Sequence, residues 1–224
     1  MRYSIEGGNL PTLIVSLDPG EKIVSEAGGR TWCKGDVTTE ANSGGAAKAL
    51  GRIFTGESLF LSHYTANSPS EIAFTSSFPG SIIARELKPG ETIIAQKTAF
   101  LCATPDVNME VHVTKKAGSG FLGGEGFLMQ KFTGPGIVFL EIDGFCKEYD
   151  LQPGEKIVCD TGVLAVMDST VNYDVQMVKG LKNMVFGGEG LFDTILTGPG
   201  KVCLQSMSIK KVADVITPFL NIKK

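Results

Sequence analysis

Polar and apolar residues alternate most clearly between residues 107 and 114. Val107, Met109, Val111 and Val113 interleave with Asn108, Glu110, His112 and Thr114. A period of two marks a strand with one face buried and one face wet. The same alternation returns 64 residues later, where Val171, Tyr173, Val175 and Met177 interleave with Asn172, Asp174 and Gln176. Two apolar runs, 127–132 and 137–142, flank Thr133-Gly-Pro-Gly136 and predict a hairpin with a longer loop. Leu13-Ile-Val-Ser-Leu17 has the β-branched content of an entry strand, and Pro19-Gly20 turns the chain after it. Further strands are predicted over 21–27 and 30–33. The stretch 44–54, GGAAKALGRIF, is alanine-rich enough for a short early helix. Ile209, Val212, Val215 and Ile216 recur at helical spacing near the end, and Pro218 stops that helix at or before Thr217. Many short strands and little helix predict an all-β protein.

The 64-residue interval extends well beyond one strand. Leu87, Pro89, Gly90, Glu91 and Ile93 reappear as Leu151, Pro153, Gly154, Glu155 and Ile157. The tetrads Gly123-Gly-Glu-Gly126 and Thr133-Gly-Pro-Gly136 reappear as Gly187-Gly-Glu-Gly190 and Thr197-Gly-Pro-Gly200. A fixed interval without gaps is the mark of duplicated units. A more worn copy opens with Leu17-Asp-Pro-Gly-Glu-Lys-Ile23 and carries Gly56-Glu57-Ser58-Leu59 in the place of the glycine-rich tetrad. Phe78-Pro79-Gly80 takes the place of Thr-Gly-Pro-Gly, and residues 61–75 then read as an insertion. The expected organisation is one body, residues 1–224, of three repeats at about 17–86, 87–150 and 151–211. Units that each lack a full core must stack to bury one.

These motifs, as a set and over nearly the whole chain, resemble the altered-inheritance-of-mitochondria, or mitochondrial biogenesis, family. The worn copy departs from the pattern, with Thr55 for the first glycine of the tetrad and Ser58 for the last. The resemblance implies packed β-sheets with internal pseudo-symmetry, a tryptophan-RNA-binding-attenuator-like arrangement of the double-stranded β-helix type. It implies a homo-oligomer, in particular a trimer, and no established enzymatic activity. An arginine-rich presequence is missing at the start, MRYSIEGGNL, which points to the prokaryotic type.

Composition narrows the function classes. The net charge of -3 gives no electrostatic footprint for nucleic acid and argues against RNA binding, which fold analogy alone would raise. No run approaches the ~18 apolar residues of a membrane span, and the first residues lack the pattern of a signal peptide. Five cysteines, an odd number with no C-x-x-C pair, read as reduced small hydrophobes of a cytoplasmic chain. The two histidines, His63 and His112, stand 49 apart and make a poor start for a β-barrel metal centre. No serine–histidine–aspartate or cysteine–histidine set follows from spacing, and no cofactor is expected. The expected function is a non-catalytic, oligomeric scaffold or binding module.

Glu57, Glu125 and Glu189 hold matching places in the three copies. Around a pseudo-threefold axis they would form a carboxylate cluster for a hard cation or a basic group, with enzymatic activity as its possible use. A glutamate between glycines also serves a plain turn by accepting backbone N–H bonds. Heat on titrating calcium separates the two readings. Large apolar residues flank these turns, including Phe54, Phe60, Phe121, Phe127, Phe186 and Phe192. They read as hairpin packing or as a surface for self-association.

Overall fold

The computed structural model describes residues 1–42, 61–112, 129–160, 162–177 and 192–220. The early helix expected at 44–54 lies outside them. The described residues build β-strands almost throughout, in antiparallel pairs, with one short helix near the C-terminus. Contacts divide the chain into two compact units.

The first unit comprises residues 1–92, 98–111 and 132–142. One sheet has the order β1 (Arg2–Glu6), β2 (Thr12–Leu17), β7 (Ser70–Thr75), β4 (Trp32–Lys34). A second has the order β5 (Val37–Asn42), β6 (Leu61–Ala66), β3 (Lys22–Glu26), β10 (Phe100–Ala103), β13 (Gly136–Asp143), β8 (Gly80–Leu87). Alternation sets which face each strand buries. In β2, Leu13, Val15 and Leu17 are buried, and Thr12, Ile14 and Ser16 between them are not. They meet Ile72 and Phe74 of β7, Ile23 of β3, Tyr64 of β6 and Phe139 of β13 in one apolar cluster between the two sheets. Tyr3 packs edge-on against Phe139, with ring centroids 4.8 Å apart. Edge-to-face geometry lets the positive ring edge meet the negative face.

The second unit comprises residues 93–97, 112–131 and 143–224. Its main strands are β9 (Thr92–Gln96), β16 (Leu164–Asp168), β19 (Gly200–Gln205) and β14 (Cys146–Leu151), adjacent in that order. In the same order, β11 (Asn108–His112) and β12 (Met129–Thr133) precede β9. A three-stranded sheet has the order β15 (Lys156–Asp160), β18 (Phe192–Thr197), β17 (Asn172–Met177). Ile94, Met129, Leu151, Leu164, Met167 and Val202 pack with Val171, Tyr173 and Leu196 in a second apolar cluster. The expected strand over 107–114 is β11 and its counterpart is β17. The runs around Thr133-Gly-Pro-Gly136 are not the expected hairpin. β12 and β13 are consecutive strands of different sheets, β12 beside β9 and β13 beside β10 and β8, so the turn carries the chain from one sheet to the other.

Residues 61–75 are not extra sequence. They form the consecutive strands β6 and β7, which belong to different sheets and are joined by the turn at Asn67–Pro69. Ala66 there exchanges backbone bonds with the first Pro-Gly-Glu turn, Gly20 N–H to Ala66 O at 2.8 Å and Ala66 N–H to Glu21 O at 3.0 Å. Gly134 makes the same two bonds to Gly90 and Glu91, and Gly198 to Gly154 and Glu155. Asn67–Pro69 therefore stands where the other two stretches carry Thr-Gly-Pro-Gly, and Phe78-Pro79-Gly80 does not.

The C-terminal helix α1 (Ile209–Ile216) begins at Ser208, whose hydroxyl accepts from the Lys211 amide at 3.3 Å. A serine in this place satisfies one of the orphan donors of the first turn. The helix ends at Ile216, before Thr217 and Pro218, as a proline boundary requires, and a short 3-10 turn follows over Thr217–Phe219.

The cysteines correct one expectation. Cys146 on β14 and Cys203 on β19 are joined by a disulfide, with Cα atoms 6.3 Å apart. Cys33, Cys102 and Cys159 are free. The strands pair with Cys146 opposite Gln205 and Cys203 opposite Glu148, so adjacent strands bring the two thiols together. Reading all five as reduced missed this, because 57 residues separate the pair in sequence. Alkylation of unfolded, unreduced protein is expected to label three cysteines, and five after reduction. Five labels before reduction would contradict the bond.

Candidate functional site

Glu57, Glu125 and Glu189 lie outside the described residues, as do nearly all the aromatic residues flanking their turns. What the structure does place is the Pro-Gly-Glu and Thr-Gly-Pro-Gly turns to which the repeated motifs belong. Each Pro-Gly-Glu turn needs its glycine: Gly20, Gly90 and Gly154 have φ of +88°, +79° and +80°. That region is open to glycine and strained for residues with a Cβ. The glutamate that follows closes the turn. Glu21, Glu91 and Glu155 each accept, through one carboxylate oxygen, the amide N–H of the residue three before it. The acceptor distances are 2.8 Å from Asp18, 2.9 Å from Lys88 and 2.8 Å from Gln152. A charged acceptor on an otherwise unpaired amide is a strong local tie. Glu21 has a further partner in the amino terminus. That ammonium, and then the Asp18 amide, hold its carboxyl below the usual 4.5. These glutamates therefore act on the backbone that carries them.

The Thr-Gly-Pro-Gly turns sit against these. Gly134–Pro135 and Gly198–Pro199 are both cis. Thr92 and Thr133 hydroxyls lie 3.1 Å apart beside the first of them. In the same turn Thr104 accepts from the Ile137 amide at 2.9 Å. Each partner group is a backbone amide or a hydroxyl paired beside the turn.

Buried polar side chains form two other groups, neither anticipated from the sequence. In the first unit, Glu141 accepts from the Ser76 hydroxyl at 2.9 Å and from the Ser77 amide at 2.6 Å. In the second, Gln205 donates to Gln96 at 3.0 Å and to the Gly162 carbonyl at 2.9 Å, and accepts from the Asp143 amide at 3.2 Å. Both are paired networks, the condition under which polar groups are tolerated in a core. The available signal was a polar residue inside an apolar run, as Glu141 is between Leu140 and Ile142.

The buried thiols and phenol are not activated. Burial pushes the Cys159 thiol up to about 11, with Asp160 and Asp193 adding to it. Burial alone raises Cys102, and burial raises the Tyr173 hydroxyl. A thiol held this far above neutrality is protonated, and the protonated form is not the nucleophile. His112 is half-buried and lowered, first by burial and then by Lys131, which keeps its ring neutral at neutral pH. His63 stands on β6 opposite Val24 and Glu40. Among the described residues no three histidine, cysteine, aspartate or glutamate side chains gather as metal ligands do.

This geometry is a set of matched structural turns on packed antiparallel sheets, and it is the arrangement the repeated motifs specify. The profile of a family described as mitochondrial biogenesis AIM24 matches residues 3–207. The chain belongs to the AIM24 family. Among its AIM24-like relatives, an uncharacterised protein of Streptococcus pyogenes serotype M6 is 23% identical over 230 residues, covering 98% of this chain and 91% of the relative. The crystal structure of a Streptococcus pyogenes protein superposes with a TM-score of 0.80 at 20% identity, covering 98% of this chain and 99% of that one. At that identity the likeness establishes the shared fold. The AIM24 fold here is thus all-β, and among the described residues no helix is long and apolar enough to cross a membrane.

Proposed function

We propose that this AIM24-family chain is a non-catalytic β scaffold that assembles with copies of itself, as a trimer in the cytoplasm. The supporting observation is the C-terminal segment. Val215, Ile216, Phe219 and Leu220 are 68%, 46%, 85% and 52% exposed, next to one another in α1 and the turn after it. Four large apolar side chains held in water on an ordered segment are what an unoccupied association surface looks like. Three such segments around a closed rotation axis would cover one another, and most soluble oligomers are closed in this way. In this reading the three stretches at about 17–86, 87–150 and 151–211 are copies of one unit within a single body.

Light scattering on the eluted protein tests the assembly. The wild-type chain is expected at three times the monomer mass, and the Val215→Glu/Phe219→Glu double variant at the monomer mass. Because both positions are exposed, the variant is expected to keep its fold, which circular dichroism checks. A wild-type monomer at working concentration would overturn the proposal.

A further inference from the structure

The outer face of the first sheet carries a row of four residues from four separate strands, three of them charged and of both signs. Strand register sets Arg2 opposite Ser16, Ser16 opposite Glu71, and Glu71 opposite Lys34. One residue of each strand thus lies in a single line across β1, β2, β7 and β4. Arg2, Glu71 and Lys34 are exposed, and Ser16 is half-buried between them. A cleft of about 350 Å³ opens along this row, and Asp18 extends its acidic side. That volume is at the small end of ligand-binding clefts. None of the four charged side chains forms a salt bridge with another among the described residues.

The wall of the cleft is rigid. Gly35 has φ +101°, and a Cβ there would come within 2.9 Å of the Pro69 carbonyl oxygen, so the two loops touch through backbone. The Ser70 hydroxyl donates to the Ser68 carbonyl at 2.8 Å, and the Asp36 carbonyl oxygen lies 3.2 Å away as the alternative acceptor for the same proton. Asn67 donates to Asp36 at 3.2 Å and to Thr38 at 2.8 Å. A site preformed in this way loses little ordering entropy on binding.

The next row on the same face has a different chemistry. Two residues along each strand, register sets Ser4 opposite Ile14, Ile14 opposite Ala73, and Ala73 opposite Trp32. Trp32 is the single tryptophan of the chain and is 51% exposed. A charged row of both signs thus runs beside a row that is apolar from Ile14 onward and ends in an indole.

We propose that this face binds a free α-amino acid with an apolar side chain. Arg2 is placed to take the carboxylate, because its planar fork matches two carboxylate oxygens. Glu71 and Asp18 take the ammonium. Strands lie about 4.8 Å apart, so Arg2 and Glu71 stand on the strands either side of Ser16, the short residue between them, and both line the cleft. The ligand side chain then lies along Ile14 toward Trp32, with the buried Ala73 beneath. Phosphates and other polyanions are disfavoured by Glu71 and Asp18, and simple cations by Arg2 and Lys34, which leaves a zwitterion as the matching charge pattern.

Trp32 reports binding directly. Its fluorescence is followed while L-leucine or L-phenylalanine is titrated into the full chain, with N-acetyl-leucine and isopentylamine as ligands that each lack one charge. A saturable change with the amino acids is expected, at least tenfold weaker with either analogue. Arg2→Gln and Glu71→Gln are each expected to weaken it about tenfold, the loss of one charge-assisted contact. Both positions are exposed, and unchanged circular dichroism confirms the fold. No saturable change with either amino acid overturns the proposal. So does equal binding of the analogues, or undiminished binding by both variants.

Discussion

Replacing Phe74 by alanine is expected to destabilise the protein by about 4 kcal/mol, within the range for a phenylalanine removed from a packed core. Phe74 is fully buried on the inner face of β7. Its ring meets Tyr64 edge-on, with centroids 6.1 Å apart, inside the cluster that joins the two sheets of the first unit. Deleting it removes the ring's transfer free energy and leaves a cavity. The flanking positions are strands fixed by pairing on both sides, β2 on one and β4 on the other, so the backbone has little freedom to close the gap. A natural control is Thr75, the next residue, which is half-buried and outside that cluster. Its hydroxyl sits 3.4 Å from that of Thr12. Thr75→Val is expected to change stability by about 1 kcal/mol or less, the usual net value of one hydrogen bond. Urea unfolding gives both numbers from midpoints at an unchanged slope. A Phe74→Ala loss below about 2 kcal/mol would mean that the site collapses, and that the two sheets are less firmly packed than the cluster indicates.

Position 74 also shows what the sequence could and could not reveal. The run Ile72–Thr75 was legible as a strand from its β-branched and aromatic content. The place of the turn before it was not, because Asn67–Pro69 lacks the Thr-Gly-Pro-Gly pattern of the other two turns. Pattern matching then assigned the wrong tripeptide to that place. The Pro-Gly-Glu turns were legible, since both the proline and the positive-φ glycine announce themselves locally. That Glu21, Glu91 and Glu155 each tie down the amide three residues before them was not legible, since a glutamate after Pro-Gly reads only as a solvated turn residue. The disulfide was not legible, because strand order and not spacing brings Cys146 to Cys203. The row of Arg2, Ser16, Glu71 and Lys34 escaped for the same reason: each residue is unremarked in its own strand, and only register collects the four. Local signals are written along the chain, whereas sites assembled across strands depend on topology.

Gly134→Ala and Gly198→Ala are each expected to cost about 3 kcal/mol, the upper end for forced overpacking. Neither glycine is there for a positive φ. The reason is close approach. A Cβ on Gly134 would lie 2.7 Å from the Leu87 Cβ and 2.7 Å from the Leu87 carbonyl oxygen. On Gly198 it would lie 2.7 Å from the Leu151 Cβ and 2.5 Å from the Gln152 carbonyl oxygen. Both obstacles include backbone, which cannot swing aside as a side-chain tip can. The backbone bonds from each glycine to the facing Pro-Gly-Glu turn would have to lengthen before the methyl group fits. Gly90 and Gly154 give the internal comparison. Their φ is positive, but nothing stands within 4 Å of an added Cβ. Alanine there carries only the conformational penalty, about 1 kcal/mol. The expected order of stability is therefore wild type, then Gly90→Ala, then Gly134→Ala, with the same order for Gly154 and Gly198. A Gly134→Ala protein as stable as Gly90→Ala would show that the two turns can move apart. Their contact would then be a consequence of the sheets around them and not a constraint upon them.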